Sequence, residues 1–182
     1  MCPMAVGPDK TVLYKRYIAS IGGFQLDTSA AIALAGRIYY CLLEIPFKLT
    51  IDGIGCLHSG VAAGNLFLAI YDSVDEAPKN RLGVTVDTPA SGINQKQLIA
   101  LSGGNLQLNP GLYFLALHVD NNTDTYWSNV ESWNIINPSN INHGPSLYNQ
   151  DQTYGAPPVT ATPLQDGSER PYCLFVRVTS VP

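Results

Sequence analysis

Nine short extended runs, five to eleven residues each, recur along this 182-residue chain with turn-forming residues between them, and no long amphipathic helical segment separates them. They read "TVLYKRYIA" (11–19), "RIYYCLLEIPF" (37–47), "KLTIDGIGCLH" (48–58), "NLFLAIYDS" (65–73) and "RLGVTVD" (81–87), then "QKQLIALS" (95–102), "GLYFLALHVD" (111–120), "SWNII" (132–136) and "YCLFVRVTS" (172–180). Parallel strands need crossovers of a dozen or more residues, usually helical, so this spacing predicts an all-β, antiparallel β-sandwich of eight or nine strands. The best helical stretch, "TSAAIALAGRI" (28–38), suits one or two turns ended at Gly36, and it equally suits a loop bridging two strands.

Patterning inside the runs says which faces are covered. In 111–120 one alternate set is Leu112, Phe114, Ala116 and His118 and the other Tyr113, Leu115, Leu117 and Val119, so both faces of that strand are largely apolar. Leu66, Leu68 and Ile70 oppose Phe67, Ala69 and Tyr71, while Tyr172, Leu174, Val176 and Val178 make a clean apolar face against a mixed one of Cys173, Phe175, Arg177 and Thr179. Pro46 cannot donate to a ladder and is expected at a bulge or an edge.

Charge excludes some partners. Only 13% of residues are charged, the formal net charge is −4, and the ten Lys and Arg are scattered, so no basic stripe tracks a phosphate backbone and no nucleic-acid partner is expected. No apolar stretch nears the roughly 20 residues of a membrane span. The start, "MCPMAVGPDK", lacks a basic region followed by an apolar one, so the expectation is no secretory signal and synthesis in a cytoplasm, with residues 1–10 as an N-terminal arm of one domain. Cys2, Cys41, Cys56 and Cys173 are far apart with no C-x-x-C pair, which reads as free thiols. A Cys41–Cys56 bridge stays open for an oxidising setting.

Composition changes between Asp120 and Arg170, where eight Asn, both tryptophans and the "GAPPVTATP" stretch make one long irregular insertion, a length usually kept for contact with a partner. Its aromatic residues Tyr126, Trp127, Trp133, Tyr148 and Tyr154 are the contact candidates: first as a protein interface, where Tyr and Trp are enriched, and second as a shelf stacking on sugar C–H surface. Asp120, Asn122, Asp124 and Glu131 share the spacing of a calcium loop, but Thr125 replaces the turn glycine and no helices flank it, so a polar loop bonding its own backbone is preferred. Asn121 with Thr123 matches a glycosylation acceptor.

No catalytic set stands out. By location Asp120, Asp124 and Glu131 are the candidates for glycoside chemistry, and spacing on a loop does not make them face each other. No G-x-S-x-G elbow occurs, His58 beside Ser59 is not a dyad by adjacency, and "SIGGF" and "LSGGN" lack the lysine of a phosphate loop. His118 has no evident nucleophile or metal partner and reads as a strand-end histidine, hydrogen-bonded or solvated. The expectation is no enzyme, no cofactor and no metal.

The stretch from "YYCLLEIPFKLTIDGIG" through "GNLFLAIYDSVDEAP" to "LQLNPGLYFLALHVDN" resembles a jelly-roll module of tailed-bacteriophage virion proteins, among them head-decoration and tail-fibre components. The shared features are an aromatic-Pro step at Ile45, Pro46 and Phe47, a strand ending in a Tyr-Asp turn at Tyr71 and Asp72, and a strand led by Pro110 to Tyr113. The resemblance covers about residues 37–121 and transfers no catalytic residue. It implies a virion structural protein made in a host cytoplasm, a decoration or cement protein bridging subunits of the major capsid protein or another virion protein. A homotrimer is expected because capsid surfaces offer threefold sites. The alternative is a tail-fibre module that binds a receptor or a glycan.

Overall fold

The computed structural model describes residues 17–19, 30–128, 147–165 and 172–181, and within these the chain is built from strands. Eight strands have five residues or more: β3 (Arg37–Ile45), β4 (Leu49–Leu57), β5 (Asn65–Val74), β6 (Ala77–Val84), β8 (Lys96–Ala100), β10 (Gly111–Val119), β12 (Leu147–Asp151) and β14 (Leu174–Ser180). Six shorter pieces pair with them or with each other: β1 (Tyr17–Ala19), β2 (Ala30–Ile32), β7 (Thr88–Pro89), β9 (Leu106–Leu108), β11 (Thr125–Trp127) and β13 (Leu164–Gln165). The run at 132–136, the arm 1–10 and Cys2 lie outside the described residues.

All pairings between these strands are antiparallel. The larger sheet runs β13-β12-β3-β10-β5-β6 with β7 also on β5, and the smaller runs β1-β14-β4-β8 with β9 also on β4. Their inward faces form the main core, from Tyr39, Cys41, Leu43 and Ile45 of β3 with the alternate residues of β5 and β10, to Ile54 and Cys56 of β4 and Leu174, Val176 and Val178 of β14. The fold is therefore an antiparallel β-sandwich.

Period-two patterning breaks in β4 for an identifiable reason. Leu49 and Ile51 point inward, and so do Ile54 and Cys56, so β4 changes parity between them. The register against β14 shifts there, between Arg177 and Val178, as a β-bulge requires. Asp52 sits at this step and accepts two bonds from Arg177, at 2.7 and 2.6 Å.

Residues 30–38 settle the ambiguity of the Ala-rich stretch. β2 pairs with β11, and Gly36 takes a φ of +76° in the turn that starts β3, so tertiary pairing overrides the helical tendency of alanine. Pro46 lies after β3 rather than at a bulge or an edge; it ends the strand because its ring cannot extend the ladder. Tyr71 and Asp72 lie inside β5 instead of ending it. The hairpin turns at Asp75 and Glu76, both at positive φ, while the Asp72 carboxylate accepts from the backbone and side-chain amides of Asn80.

The outer face of the larger sheet is apolar too, and the chain supplies its cover. Ile38, Tyr40, Ala69, Tyr71, Phe114, Ala116 and Tyr148 form a second cluster there with Ala161. Beyond β12, residues 152–163 cross this face as a strap and reach the free edge of β6, where Arg81 N–H donates to Val159 and Ala161 N–H to Lys79. Tyr71 Oη donates to Pro158 O at 2.6 Å, and Arg81 donates to Pro157 O. The strap includes "GAPPVTATP", so much of that stretch serves the fold.

One glycine tests the packing of the smaller sheet. A Cβ on Gly55 would lie 2.2 Å from the Phe175 ring and 2.7 Å from the Gln97 carbonyl oxygen. Gly55→Ala is expected to cost about 1–3 kcal/mol, as overpacking does, lowering the thermal midpoint by several degrees. Thermal denaturation of Gly55→Ala, Phe175→Ala and the double variant checks this: the two losses should be less than additive, and additivity would show that the ring does not occupy that space.

Candidate functional site

At one end of the main core five polar side chains meet, four of them fully buried and Gln97 nearly so. Cys56 comes from β4 and His58 from just past its end, Gln97 comes from β8, Tyr126 from β11 and Asp124 from the loop before it. His58 Nδ1 lies 3.1 Å from Asp124 Oδ1, and Nε2 lies 2.7 Å from Gln97 Oε1 and 3.6 Å from Cys56 Sγ. Tyr126 Oη donates to Asp124 Oδ2, and its ring leans on the imidazole at 4.9 Å.

The orientation of the Gln97 amide is set from outside the cluster. Its NH2 donates to Pro89 O at 2.8 Å and its oxygen accepts from Ser91 N–H at 3.0 Å, so it is the oxygen that faces His58. His58 Nδ1 thus faces a carboxylate oxygen, and Nε2 stands between the Gln97 oxygen and the Cys56 thiol. Burial, and then the charge of Asp124, raise the Cys56 thiol far above its ordinary range; burial also raises Tyr126, with Cys56 and Asp124 adding to it. A thiol held protonated in a sealed core does not attack an external substrate.

Four backbone segments are tied together around this node. Asn94 N–H donates to Ser59 O, Thr125 and Val61 exchange bonds, and Asn121 Nδ2 donates to Ala63 O, while Asn122 Oδ1 accepts from Ala35 N–H. Loops 33–36, 59–64, 89–95 and 120–125 therefore form one interlocked end of the sandwich.

The proposed calcium ligands point to different partners. Asp120 Oδ1 accepts from Asn65 N–H, Asn122 Oδ1 serves Ala35, and Asp124 turns inward to His58, while Glu131 lies outside the described residues. Asn121 Oδ1 accepts from the Thr123 and Asp124 amides, as expected of a polar loop bonding its own backbone. Asn121 Nδ2 donates to Ala63 O and to Asp120 Oδ1. Among the described residues no group of three or more His, Cys, Asp or Glu is placed to hold a metal ion. Ser59 leaves its hydroxyl without a partner and forms no dyad with His58.

The four described aromatic candidates do not share a face. Tyr126 is in the main core, and Tyr148 is buried on the outer face of the larger sheet, edge-on to Phe114 with its hydroxyl donating to Glu76 O. Tyr154 is half-buried in the strap, packed on Phe67 and His118 with its hydroxyl bonded to Asp87. Trp127 is half-buried on β11 beside the interlocked loops, and Trp133 is outside the described residues. Cys41, Cys56 and Cys173 are buried thiols, and burial pushes Cys41 up to about 12 and Cys173 up to about 11.

Sequence reading missed the His58 cluster. Cys56 and His58 share the inward parity of Ile54, a visible polar interruption of an apolar face, but Gln97 and Asp124 lie 39 and 66 residues away from His58. No protein-family model matches the chain, and no curated protein matches its sequence.

His118, at the end of β10, is hydrogen-bonded and buried under the strap, not solvated. Its Nδ1 donates to Gly155 O at 2.9 Å and its Nε2 is buried without a hydrogen-bond partner. Burial lowers its pKa from 6.5, partly offset by the carbonyls of Gly155 and Gln152. The unfolded chain then takes up a proton before the folded one does, so the stability His118 contributes is present above pH 6.5 and is lost as pH falls below it. Thermal midpoints of the wild type and His118→Gln, followed through this window, should diverge toward acid with the wild type falling faster; parallel curves would refute a sealed imidazole. Asp124→Ala, which removes the partner of His58 Nδ1 and of the Tyr126 hydroxyl in the core, is expected to cost about 3–5 kcal/mol in chemical denaturation.

Proposed function

We propose that this protein is a non-enzymatic structural module that works by contact, a decoration or cement protein on a virus particle. The observation that carries the reading is the interlocked loop end. Leu34, Val61 and Ile93 are 42%, 41% and 57% exposed there, on loops that hydrogen bonds hold to one another, with Trp127 beside them. Apolar side chains on a preorganised surface lose little conformational entropy when covered, which suits a lasting contact between subunits.

Two further considerations support it. The one concentration of nucleophile, base and carboxylate among the described residues is sealed and bonded to itself. The resemblance of "YYCLLEIPF", "LFLAIYDS" and "NPGLYFLALHVDN" to virion jelly-roll modules supplies the setting, with the major capsid protein as partner and a trimer as the active form.

Sedimentation of the purified chain with empty heads and, separately, with tails tests this. Binding to heads is expected, weakened at least tenfold by Val61→Asp with Ile93→Asp while the thermal midpoint barely changes. Binding to a glycan array that disappears in Trp127→Ala, without binding to heads, would replace it with the carbohydrate-binding reading.

A further inference from the structure

Neither the sandwich nor the loop surface requires that a thiol and a carboxamide share the His58 cluster. Cys56 and Gln97 are directly opposed on β4 and β8, so both side chains rise from the inward face of the smaller sheet. Opposed residues keep their Cβ atoms about 4.5–5.5 Å apart. Four bonds, from the cysteine Cβ through sulfur and the carbonyl carbon to the glutamine Cγ and Cβ, span that gap.

The carboxamide is held in the manner of a carbonyl that will be attacked. Its oxygen accepts from Ser91 N–H at 3.0 Å and lies 2.7 Å from His58 Nε2, which becomes a second donor of an oxyanion site once it has taken a proton, and its nitrogen is fixed on Pro89 O at 2.8 Å. His58 Nε2 also lies 3.6 Å from Cys56 Sγ, and Nδ1 is backed by Asp124, itself held by Tyr126. One nitrogen therefore stands between the group that must lose a proton and the group that must gain one.

We propose that Cys56 and Gln97 form an intramolecular thioester, closed by the chain's own His58 and Asp124. The Cys56 S–H proton passes to Nε2 of the neutral imidazole as sulfur bonds to Gln97 Cδ. Ser91 N–H and the newly protonated Nε2–H hold the oxyanion of the tetrahedral intermediate. His58 then returns the proton to the amide nitrogen, the Cδ–N bond breaks, and ammonia leaves. Thiol and carboxamide become thioester and ammonia, with no change of oxidation state.

The setting suits both formation and survival of the bond. Cys56 and His58 are fully buried, which excludes the water that would hydrolyse a thioester, while Gln97 at 8% exposure lies where ammonia can escape. The thiol, kept protonated by burial, meets this amide as its electrophile instead of reacting as a free thiolate. The modification is independent of the partner proposed above, because it is complete within one chain.

Intact-mass measurement of the full-length chain, purified without amines and incubated at neutral pH, tests it. The expected mass is lower than that of the sequence by one ammonia, with Cys56 refusing iodoacetamide in denaturant. Methylamine should free the thiol and leave a methylamide on Gln97 in the peptide map. Cys56→Ala and Gln97→Ala should each show their full sequence mass. A wild-type chain at full sequence mass whose Cys56 alkylates in denaturant overturns the proposal, and so does an ammonia loss that maps to any other residue.

Discussion

The three central strands of the larger sheet, β3, β10 and β5, are apolar on both faces, and the rest of the molecule answers that constraint. Each large apolar side chain left in water instead of buried would cost roughly 1.5–3 kcal/mol, so neither face can stay open. The smaller sheet covers one face. The other is covered by the strap 152–163, whose carbonyls also take the Tyr71 hydroxyl and the His118 N–H. The strap adds a backbone bridge along β6 as well, so an edge that would otherwise invite pairing with another chain is occupied.

Burying polar groups imposes a second requirement, that each finds a partner. Around His58 the requirement is met: Asp124, Gln97, Tyr126 and two backbone groups satisfy one another, and the loops that carry them are fixed as a unit. Around His118 it is met by half, since Nε2 has no partner. The first histidine is a structural node and the second is a place where acid works against the fold.

These two features separate the chemistry of the protein from its contacts. Groups able to react lie inside, where their reach is limited to one another. Groups able to adhere lie on loops whose geometry the interior holds rigid. The exposed apolar loop surface is thus preformed, and the buried reactive groups can reach only groups of their own chain.

The runs, their alternation and the turn residues between them determined the class of fold from sequence, because period-two burial is a local property: Leu66, Leu68 and Ile70, or Leu174, Val176 and Val178, face the core as their spacing says. The doubly apolar character of 112–119 was legible for the same reason, though the identity of its cover was not. Only the tertiary structure decided that residues 152–163 are the cover, that Asp124 turns inward to His58 rather than toward solvent, and that Tyr126 and Tyr148 pack instead of projecting. Each of those outcomes depends on a contact between residues distant in the chain, and no periodicity within a segment records which remote partner will satisfy a buried group.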